Sequence, residues 1–299
     1  MAQEILEKLS EELSATIEKA SESVVLVQGR RFPASGVVWK RNLVITTDHS
    51  LPRSSEVQIR TAAGEIISGQ IAGRDPSTDI AIIQSSKDLQ PLEFSKTSLK
   101  AGQLAVILGR ANGGRVLSVL TMISGTDNNY KNWRGGTFDQ FIRLDSAAFP
   151  GFSGSALLMP NGTIAGINTA AFSRHFGLTI PASNIERLVE RIQTKGTIGR
   201  PYLGLMMQPV RLPEKFRKEA GAEIGLLLIG TENGSPAEQA GLAVGDIVVG
   251  LNGKTVNSIE ELHDVLTAES IGSEIKVTIL RGGKIENVQT KVGERPLRQ

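Results

Sequence analysis

Short apolar runs separated by turn residues dominate the chain from Val24 to about Ile198. Runs of this length, rich in valine and isoleucine, are typical of buried β-strands, and helical periodicity is almost absent between them. The runs are Val24–Val27, Gly36–Trp39, Leu43–Thr46, Ile80–Ile83, Leu104–Leu108, Phe141–Leu144 and Ile164–Ile167. Glycine, at 32 of 299 residues, exceeds its average share and favours turn-rich structure. The pattern predicts an all-β barrel or sandwich.

Two segments depart from this pattern and predict helices. At the N-terminus, apolar residues recur at helical spacing among many charged ones, which predicts an amphipathic helix over residues 1–22. The residues of this stripe are Ile5, Leu9, Leu13, Ile17 and Ala20. The stripe must pack either on its own domain or on another subunit. A similar spacing over Pro181–Gln193 predicts a helix that closes the β-rich region.

The chain is too long for one ordinary domain of roughly 100–200 residues. The junction Lys195–Pro201 contains two glycines and a proline, which predicts a boundary between a domain at residues 23–198 and another at residues 201–299.

The second domain mixes helical and strand patterns. Ser235 and Ser258 each stand three residues before a glutamate, as in the capping boxes of helix N-termini. Asn252-Gly253 and Gly282-Gly283 separate runs of alternating apolar residues, as hairpin turns do. We therefore expect a compact α+β module. The residues of its second helix expected to face inward are Ile259, Leu262, Val265 and Leu266.

Composition excludes several classes of function. The net charge is +2 and aromatic residues make up 4%, so neither the basic footprint nor the stacking platforms of a nucleic-acid-binding protein are present. The absence of cysteine excludes disulfides, thiolate nucleophiles and cysteine-ligated metals. The histidines His49, His175 and His263 lie far apart and no HExxH motif occurs, so we expect no metal site.

No stretch approaches the ~20 apolar residues of a membrane span, and residues 1–23 lack the apolar core of a secretory signal. We therefore expect no membrane span and a cytoplasmic location, or a periplasmic or exported one if the sequence is a trimmed form that has lost a signal or an anchor.

Three sites in the β-rich domain suggest nucleophilic catalysis. Ser153 stands in a glycine-rich turn, where backbone N–H groups can converge on one point, although Gly-Xaa-Ser-Gly alone is also an ordinary loop sequence. His49 follows one apolar run and Asp79 begins another, so each stands at a strand end where a side chain is held firmly at a cleft. Asp48 and Asp75 are alternative carboxylates, but Asp48 points elsewhere along its strand and Asp75 is better explained as a turn former. The order His, Asp, Ser is that of chymotrypsin-like proteases.

Leu43–His49, Asp75–Ile83 and Leu144–Thr169 resemble the catalytic segments of the HtrA serine proteases, and Ser153–Leu158 followed by Asn161–Thr169 is especially similar. The C-terminal module resembles the PDZ domain of that family. The resemblance implies a mainly β chain, with a chymotrypsin-like double six-stranded β-barrel followed by one PDZ domain. It also implies assembly as homotrimers and no metal or organic cofactor.

The resemblance implies a role for each residue of the site. Ser153 would attack the scissile carbonyl, His49 would take and return its proton, and Asp79 would hold the correct histidine tautomer. The backbone N–H groups of Gly151 and Ser153 would form the oxyanion hole.

The walls of the specificity pocket are expected at Ala147 and Ala148, before the serine, and at Leu178 and Thr179, on the opposite segment. No charge is evident there, so a small or medium aliphatic side chain is expected before the cleaved bond. His175, in the loop leading to that segment, is either an exposed loop histidine or a substrate contact.

In the second domain, Tyr202-Leu203-Gly204-Leu205 resembles the carboxylate-binding loop of PDZ domains, which receives a peptide C-terminus. The alternative is a first strand that simply packs on the core. The pocket for the terminal apolar side chain is expected near Ile259, Leu262 and Leu266. His263 is expected to be solvated or at the groove edge.

Three residues depart from the family pattern. Asp48 replaces a small neutral residue and would either raise the pKa of His49 or point to solvent. Phe152 replaces a polar residue, and its bulk would hold the turn open or shield it. Ser155 replaces a second glycine, and a positive φ there would distort the oxyanion turn.

These observations favour an ATP-independent serine endopeptidase that cleaves unfolded or damaged proteins and binds peptide C-termini through its PDZ domain. The alternative is an inactive scaffold or holdase that keeps the barrels and the groove. An esterase on the same barrel is a third possibility, but nothing in the sequence suggests an acyl pocket.

Overall fold

The computed structural model describes residues 2–95, 97–132, 136–173, 175–195, 201–266 and 270–295. These residues fall into two compact units, one before and one after the junction predicted at Lys195–Pro201. Residues 196–200 of that junction lie outside the described residues.

The first unit contains two closed, six-stranded barrels. The strand order is β1-β2-β3-β6-β5-β4 in the first barrel and β10-β11-β12-β9-β8-β7 in the second. The strands are β1 (Val24–Val27), β2 (Ala34–Lys40), β3 (Leu43–Thr47), β4 (Glu56–Arg60), β5 (Ile66–Asp75), β6 (Ile80–Ser85), β7 (Leu104–Arg110), β8 (Val116–Lys131), β9 (Thr137–Leu144), β10 (Ala156–Leu158), β11 (Ile164–Thr169) and β12 (Leu178–Pro181). Each predicted apolar run lies within one of these strands, and the double barrel is confirmed.

Side chains from the inner face of each barrel form its core. Ile80, Ile82 and Ile83 on β6 are completely buried because this strand is covered on both faces. In contrast, β8 alternates exposed with partly buried residues, and this mixed pattern is weaker in the sequence than a continuous apolar run.

Both predicted helices of the first unit are present. Helix α2 (Ala182–Lys195) begins one residue later than expected, and its apolar residues are buried. Helix α1 (Ala2–Ser21) is packed at its C-terminal end, where Ala20 is 1% exposed. Ile5 and Leu9 are 64% and 45% exposed, whereas Leu13 and Ile17 are half-buried, so within one chain the N-terminal part of the apolar stripe stays uncovered.

The second unit is an α+β module, as predicted. Its strands are β13 (Pro201–Tyr202), β14 (Leu205–Arg211), β15 (Ile224–Thr231), β16 (Ile247–Leu251), β17 (Lys254–Thr255), β18 (Glu274–Arg281), β19 (Lys284–Lys291) and β20 (Gly293–Glu294). Its helices are α3 (Glu214–Ala220), α4 (Pro236–Gln239) and α5 (Ile259–Val265). The main sheet has the order β14-β15-β16-β18-β19, so β14 is an edge strand among the described residues.

The local predictions for this unit hold with one exception. The hydroxyl oxygens of Ser235 and Ser258 accept the N–H groups of Glu238 and Glu261, and so cap α4 and α5. Ile259, expected to face inward, is 36% exposed. As the first residue of α5 it lies at the edge of the core, which Leu262 and Leu266 enter one and two turns later.

Candidate active site

A buried carboxylate and a half-buried imidazole form the centre of the site. Nδ1 of His49 lies 2.7 Å from Oδ2 and 3.0 Å from Oδ1 of Asp79, and the backbone N–H of His49 donates to Oδ1 at 2.9 Å. The Asp79 side chain is 0% exposed, whereas that of His49 is 34% exposed. The carboxylate therefore fixes both the backbone and the ring of His49, and on the far side of the ring Nε2 lies 3.3 Å from Oγ of Ser50.

The local fold brings these two residues together. His49 stands in a single 3-10 turn, residues 48–50, that directly follows β3, and Asp79 directly precedes β6. Thr47 on β3 pairs with Ile80 on β6, so the two strand ends are neighbours. Asp79 has φ +63°, a conformation that aspartate tolerates better than most residues.

Thr169, at the end of β11 in the second barrel, completes the surroundings of the carboxylate. Its hydroxyl donates a 2.5 Å hydrogen bond to Oδ2 of Asp79 and accepts the N–H of Ala171. Nothing in the local sequence points to Thr169, because it is a threonine at a strand end 90 positions away from Asp79.

The two alternative carboxylates have structural partners. Asp75 accepts hydrogen bonds from the backbone and side chain of Ser77 and from Thr78, and so forms the turn that precedes Asp79, as the sequence predicted. Asp48 pairs with Arg74 at 3.0 Å, with both side chains largely buried. Burial raises the pKa of Asp48, and the hydrogen bond and charge of Arg74 oppose this rise.

Asp48 therefore does not simply point to solvent. Arg74 also donates to the carbonyl oxygen of Pro52, so one guanidinium group bridges both ends of the turn that carries His49. Because Arg74 and Asp75 are adjacent at the end of β5, a single strand end holds the turns of His49 and Asp79.

Ser153 stands in a turn that the first barrel supports. Gly151 and Gly154 have φ of +88° and +80°, and a Cβ atom on Gly154 would lie 1.9 Å from the carbonyl oxygen of Ser35. The N–H of Ser35 donates to the carbonyl of Ser153 at 3.0 Å, and its hydroxyl donates to the carbonyl of Gly151 at 2.8 Å. Nothing in the local sequence points to Ser35 either.

Two residues of this turn, Phe152 and Ser155, depart from the family pattern. Phe152 is 0% exposed and packs edge-to-face on Phe149, with ring centroids 5.4 Å apart, so it stabilises the second barrel and does not shield the turn. Among the described non-glycine residues, positive φ occurs only at Asp79, Asn129 and Asn252. Ser155 therefore lacks the positive φ that would have strained the turn.

The Ser155 hydroxyl instead makes two buried hydrogen bonds. Its hydroxyl donates to the carbonyl of Phe152 at 2.5 Å and accepts from Nδ2 of Asn168 at 2.9 Å. A glycine could not make these bonds, so the serine adds support to the turn.

His49 and Ser153 line the same cleft, which has a volume of about 470 Å³. The hydroxyl oxygen of Ser153 lies 3.4 Å from the N–H of Ala170. Within the described part of the chain, no protein acceptor takes the N–H groups of Gly151 and Ser153. The cleft thus combines a serine hydroxyl, an oriented imidazole and two unpaired amides.

Comparison with known proteins identifies this arrangement. The trypsin-like peptidase domain family matches residues 34–167, and the PDZ domain family matches residues 201–292. Over 284 residues the chain is 30% identical to the serine protease Do-like HtrA of Bacillus subtilis (strain 168), an alignment that covers 87% of this chain and 63% of the relative. The chain is thus similar to HtrA-type serine proteases in both of its domains and in their order.

Other HtrA-type proteins show the same likeness. A probable periplasmic serine endoprotease DegP-like of Chlamydia trachomatis is 29% identical over 267 residues, covering 87% of this chain and 53% of the relative. The chain thus spans between about half and two thirds of the length of these curated relatives. The HtrA-type protease AlgW with decapeptide has the same fold, with a TM-score of 0.69, 22% identity and coverage of 95% and 98%. So does the serine endoprotease from Yersinia pestis, with a TM-score of 0.69, 24% identity and coverage of 94% and 97%.

The four residues expected to form the specificity pocket have different surroundings. Leu178 and Thr179 are buried and line a small aromatic cavity with Tyr130 and Phe138. Ala148 is half-buried against the second-barrel core, and Ala147 is exposed. Neither alanine belongs to the lining of that cavity or of the cleft.

The loop Tyr202–Leu205 has backbone donors without a protein acceptor among the described residues. The carbonyls of Leu203 and Gly204 accept N–H groups from Ala237 and Glu232, but among the described residues no protein acceptor takes the N–H groups of Leu203 and Gly204. Gly204 has φ +77°, and a Cβ atom there would lie 2.2 Å from Cβ of Ser235. The sequence therefore needs glycine at this position.

The remaining predicted residues of the groove lie around the core of the second unit. Leu203, Leu262 and Leu266 are buried together, and Leu205 is partly buried against them. Tyr202 donates its hydroxyl hydrogen to Glu232 at 2.9 Å.

The other two histidines lie outside the cleft lining: His175 is exposed in its loop and His263 is half-buried on α5. In the described part of the chain, no helix has the length and apolar character needed to cross a membrane.

Proposed function

We propose that this chain is an ATP-independent serine endopeptidase of HtrA type that cleaves unfolded or damaged proteins. Within this proposal, residues 1–22 are the N-terminal helix, residues 23–198 are the protease domain and residues 201–299 are the PDZ domain. The observation that carries the proposal is the buried Asp79 carboxylate, held by His49 and Thr169 beside the cleft that contains Ser153. A fully buried carboxylate is costly unless it is paired and hydrogen-bonded, and here the pairing orients an imidazole.

In the proposed mechanism, Oγ of Ser153 attacks the scissile carbonyl carbon as Nε2 of His49 removes its proton. Asp79 accepts the Nδ1–H hydrogen bond, which keeps the proton off Nε2 in the resting enzyme and stabilises the imidazolium that forms. The imidazolium then protonates the leaving amine. Water repeats the sequence on the acyl-enzyme, so neither a metal nor an organic cofactor takes part.

The amides of Gly151 and Ser153 are proposed to bind the oxyanion of the tetrahedral intermediate. Removing one donor from such a site typically costs on the order of 3–4 kcal/mol of barrier. The hydrogen bonds of Ser35 and Ser155 to this turn support the proposal, because they restrict the backbone that presents the two donors.

The PDZ domain is proposed to bind peptide C-termini. The unpaired N–H groups of Leu203 and Gly204 suit a carboxylate, and β14 offers an unpaired edge along which a peptide adds as a strand. Ile259, Leu262 and Leu266 would then contact the terminal apolar side chain. Titrating the protein with a fluorescent peptide tests this: the free-acid form should bind and the C-terminal amide should not, whereas equal binding rejects carboxylate capture.

Assembly as a homotrimer is proposed from the family resemblance. The exposed apolar residues Ile5, Leu6 and Leu9 of α1 are consistent with a subunit contact. Light scattering of the wild type and of an Ile5→Ser/Leu6→Ser/Leu9→Ser variant would report the mass. A monomeric wild type contradicts the assembly, and an unchanged mass in the variant excludes α1 as the contact.

Labelling with a fluorophosphonate probe tests the proposed nucleophile, with Ser153→Ala as the matched control. The wild type should be labelled and the variant should not, because the probe phosphonylates only an activated serine. Equal labelling of both rejects Ser153. Hydrolysis of casein and of a short ester, compared on the same preparations, separates an endopeptidase from an esterase.

A further inference from the structure

We propose that Arg30, Arg31 and Phe32 form a subsite for acidic polypeptide segments carboxy-terminal to the scissile bond. The inference deepens the proposed endopeptidase function and rests on it. These three residues, with Pro33 and Ala34, line one side of the cleft that contains Ser153.

The segment is anchored at both ends to the catalytic machinery. At one end, the N–H of Arg30 donates to the carbonyl oxygen of Ser50, the residue after His49, at 2.8 Å. At the other end, the N–H of Ser35 donates to the carbonyl of Ser153 at 3.0 Å. The backbone of the loop is therefore fixed at both ends, beside the base and beside the nucleophile.

The charge of this wall is uncompensated. Arg30 and Arg31 are exposed, and within the described residues neither lies within 4.0 Å of a carboxylate. None of the described residues that line the cleft is acidic. Phe32 is 77% exposed and adds apolar surface to the same wall. A substrate segment that combines carboxylates with an apolar residue complements this surface in both charge and polarity.

The position of the loop assigns it to the leaving-group half of the substrate. The imidazole protonates the departing amine through Nε2, which lies 3.3 Å from Oγ of Ser50. Ser50 in turn holds Arg30, so the chain that departs past Nε2 next meets the arginines. On the other side of Ser153, Ala170 contacts the hydroxyl oxygen, and this residue is not part of the cleft lining.

The expected effect is moderate, because both guanidinium groups are solvated. Two exposed charge pairs together change kcat/KM by on the order of tenfold. The preference should weaken as salt rises, since screening acts strongly on exposed charges.

Internally quenched peptides test the subsite. Three peptides have the same residues before the scissile bond and carry glutamate, glutamine or lysine at the two positions after it. A fourth peptide carries the two glutamates before that bond. The glutamate peptide should be cleaved about tenfold faster than the glutamine peptide by the wild type, and less than twofold faster by Arg30→Gln/Arg31→Gln. Arg30→Glu/Arg31→Glu should favour lysine.

The matched control is Lys40→Gln/Arg41→Gln, which removes two exposed charges outside the cleft lining and should keep the glutamate preference. For each variant, peptide rates are divided by its hydrolysis of a short ester that lacks a leaving-group peptide. The subsite is overturned if the wild type shows no preference for glutamate, or if the Lys40→Gln/Arg41→Gln control also loses that preference. A preference only for glutamates before the bond overturns the assignment to the leaving-group half.

Failure of the proposed function gives a different result, namely a wild type that turns over neither ester nor peptide. In that case, fluorescence anisotropy of the labelled peptides with Ser153→Ala decides the subsite alone. Tighter binding of the glutamate peptide, lost in the added Arg30→Gln/Arg31→Gln background, supports it. Equal binding of the glutamate and glutamine peptides overturns it.

Discussion

The hydroxyl group of Ser35 donates a 2.8 Å hydrogen bond to the carbonyl oxygen of Gly151, and so joins the first barrel to the turn that carries Ser153. The same oxygen accepts the buried N–H of Arg110 at 2.8 Å. The Ser35 side chain therefore provides an acceptor for the Arg110 N–H of β7 and restrains the backbone at Gly151, next to the proposed oxyanion donors.

Ser35→Ala should lower kcat about tenfold with little change in KM, because donors positioned at this turn act mainly on the transition state. It should also lower the free energy of unfolding by about 1–3 kcal/mol, since the N–H of Arg110 loses its acceptor. Ser23→Ala is the matched control, because the buried Ser23 hydroxyl has no hydrogen-bond partner among the described residues. Steady-state kinetics and denaturant unfolding measure both effects, and similar kcat values for the two variants contradict the prediction.

Asp79→Asn should lower kcat by about 10⁴, because an amide in place of the carboxylate favours the wrong tautomer of His49. Asparagine tolerates φ +63°, so the fold should be retained, as thermal unfolding would verify. Thr169→Val removes one neutral donor to the same carboxylate and should give a smaller loss, about tenfold. Activity of Asp79→Asn within tenfold of the wild type would exclude an orienting role.

Phe152→Ala should lower the free energy of unfolding by about 3–5 kcal/mol, the usual cost of removing a buried aromatic ring. The ring packs on Phe149 and is completely buried, so its loss leaves a cavity beneath the proposed nucleophile turn. Leu120→Ala, in the same barrel but 56% exposed, should cost far less. Equal losses in urea unfolding would place Phe152 outside the core.

Arg74→Met should reduce activity more than the double variant Asp48→Asn/Arg74→Met. The single change leaves a largely buried carboxylate without its cation, whereas the double change removes both charges. The turn of His49 should therefore be more disturbed in the single variant. A double-mutant cycle on kcat and on unfolding measures the coupling, and additive effects of the two changes would indicate that the pair does not hold the turn.

Asp246 should make the PDZ unit sensitive to acid. Burial alone would raise the pKa of Asp246, but hydrogen bonds from Arg281 and from the N–H of Ala243, with the guanidinium charge, bring it below the ordinary value. A depressed folded-state pKa stabilises the fold above the unfolded value near ~4, and this contribution is lost as the pH falls further.

At pH 7, Asp246→Asn should therefore lower the stability of the PDZ unit by about 2 kcal/mol relative to the wild type, and this difference should shrink at pH 3. Hydrogen exchange of the full chain, followed on β16 and β18, would measure this unit separately. Asp264→Asn serves as the exposed control. A difference between wild type and Asp246→Asn that does not shrink at pH 3 would contradict the assigned linkage.

Several site features could be predicted because they follow local rules. His49 and Asp79 each adjoin a continuous apolar run, and such runs form buried strands whose ends are fixed. Ser235 and Ser258 cap helices because a hydroxyl beside a helix start satisfies a free N–H, whatever lies further away. Ile259 was wrongly predicted to face inward. Helical spacing gives the face of the helix on which a residue lies, but not how far the core extends along that face.

Other features depend on residues far apart in the sequence. Whether Ser155 is strained depended on the sign of its φ, which the sequence does not give; its φ is not positive, and Asn168 and Phe152 supply its hydrogen-bond partners. Thr169 and Ser35 act through contacts across 90 and 116 positions, for which the sequence contains no spacing rule.

The sequence by itself predicted many of the strands, the order of the two folded units and, through the family resemblance, the side chains that carry the proposed chemistry. The strands and helix starts depend on hydrophobic periodicity, capping and glycine content, which act over a few residues at a time. The tertiary structure decided that Asp48 pairs with Arg74, that Phe152 is buried and that Arg30 and Arg31 line the cleft without acidic neighbours. Closing a barrel brings distant strand ends together, and the burial and partners of a polar group exist only after that closure.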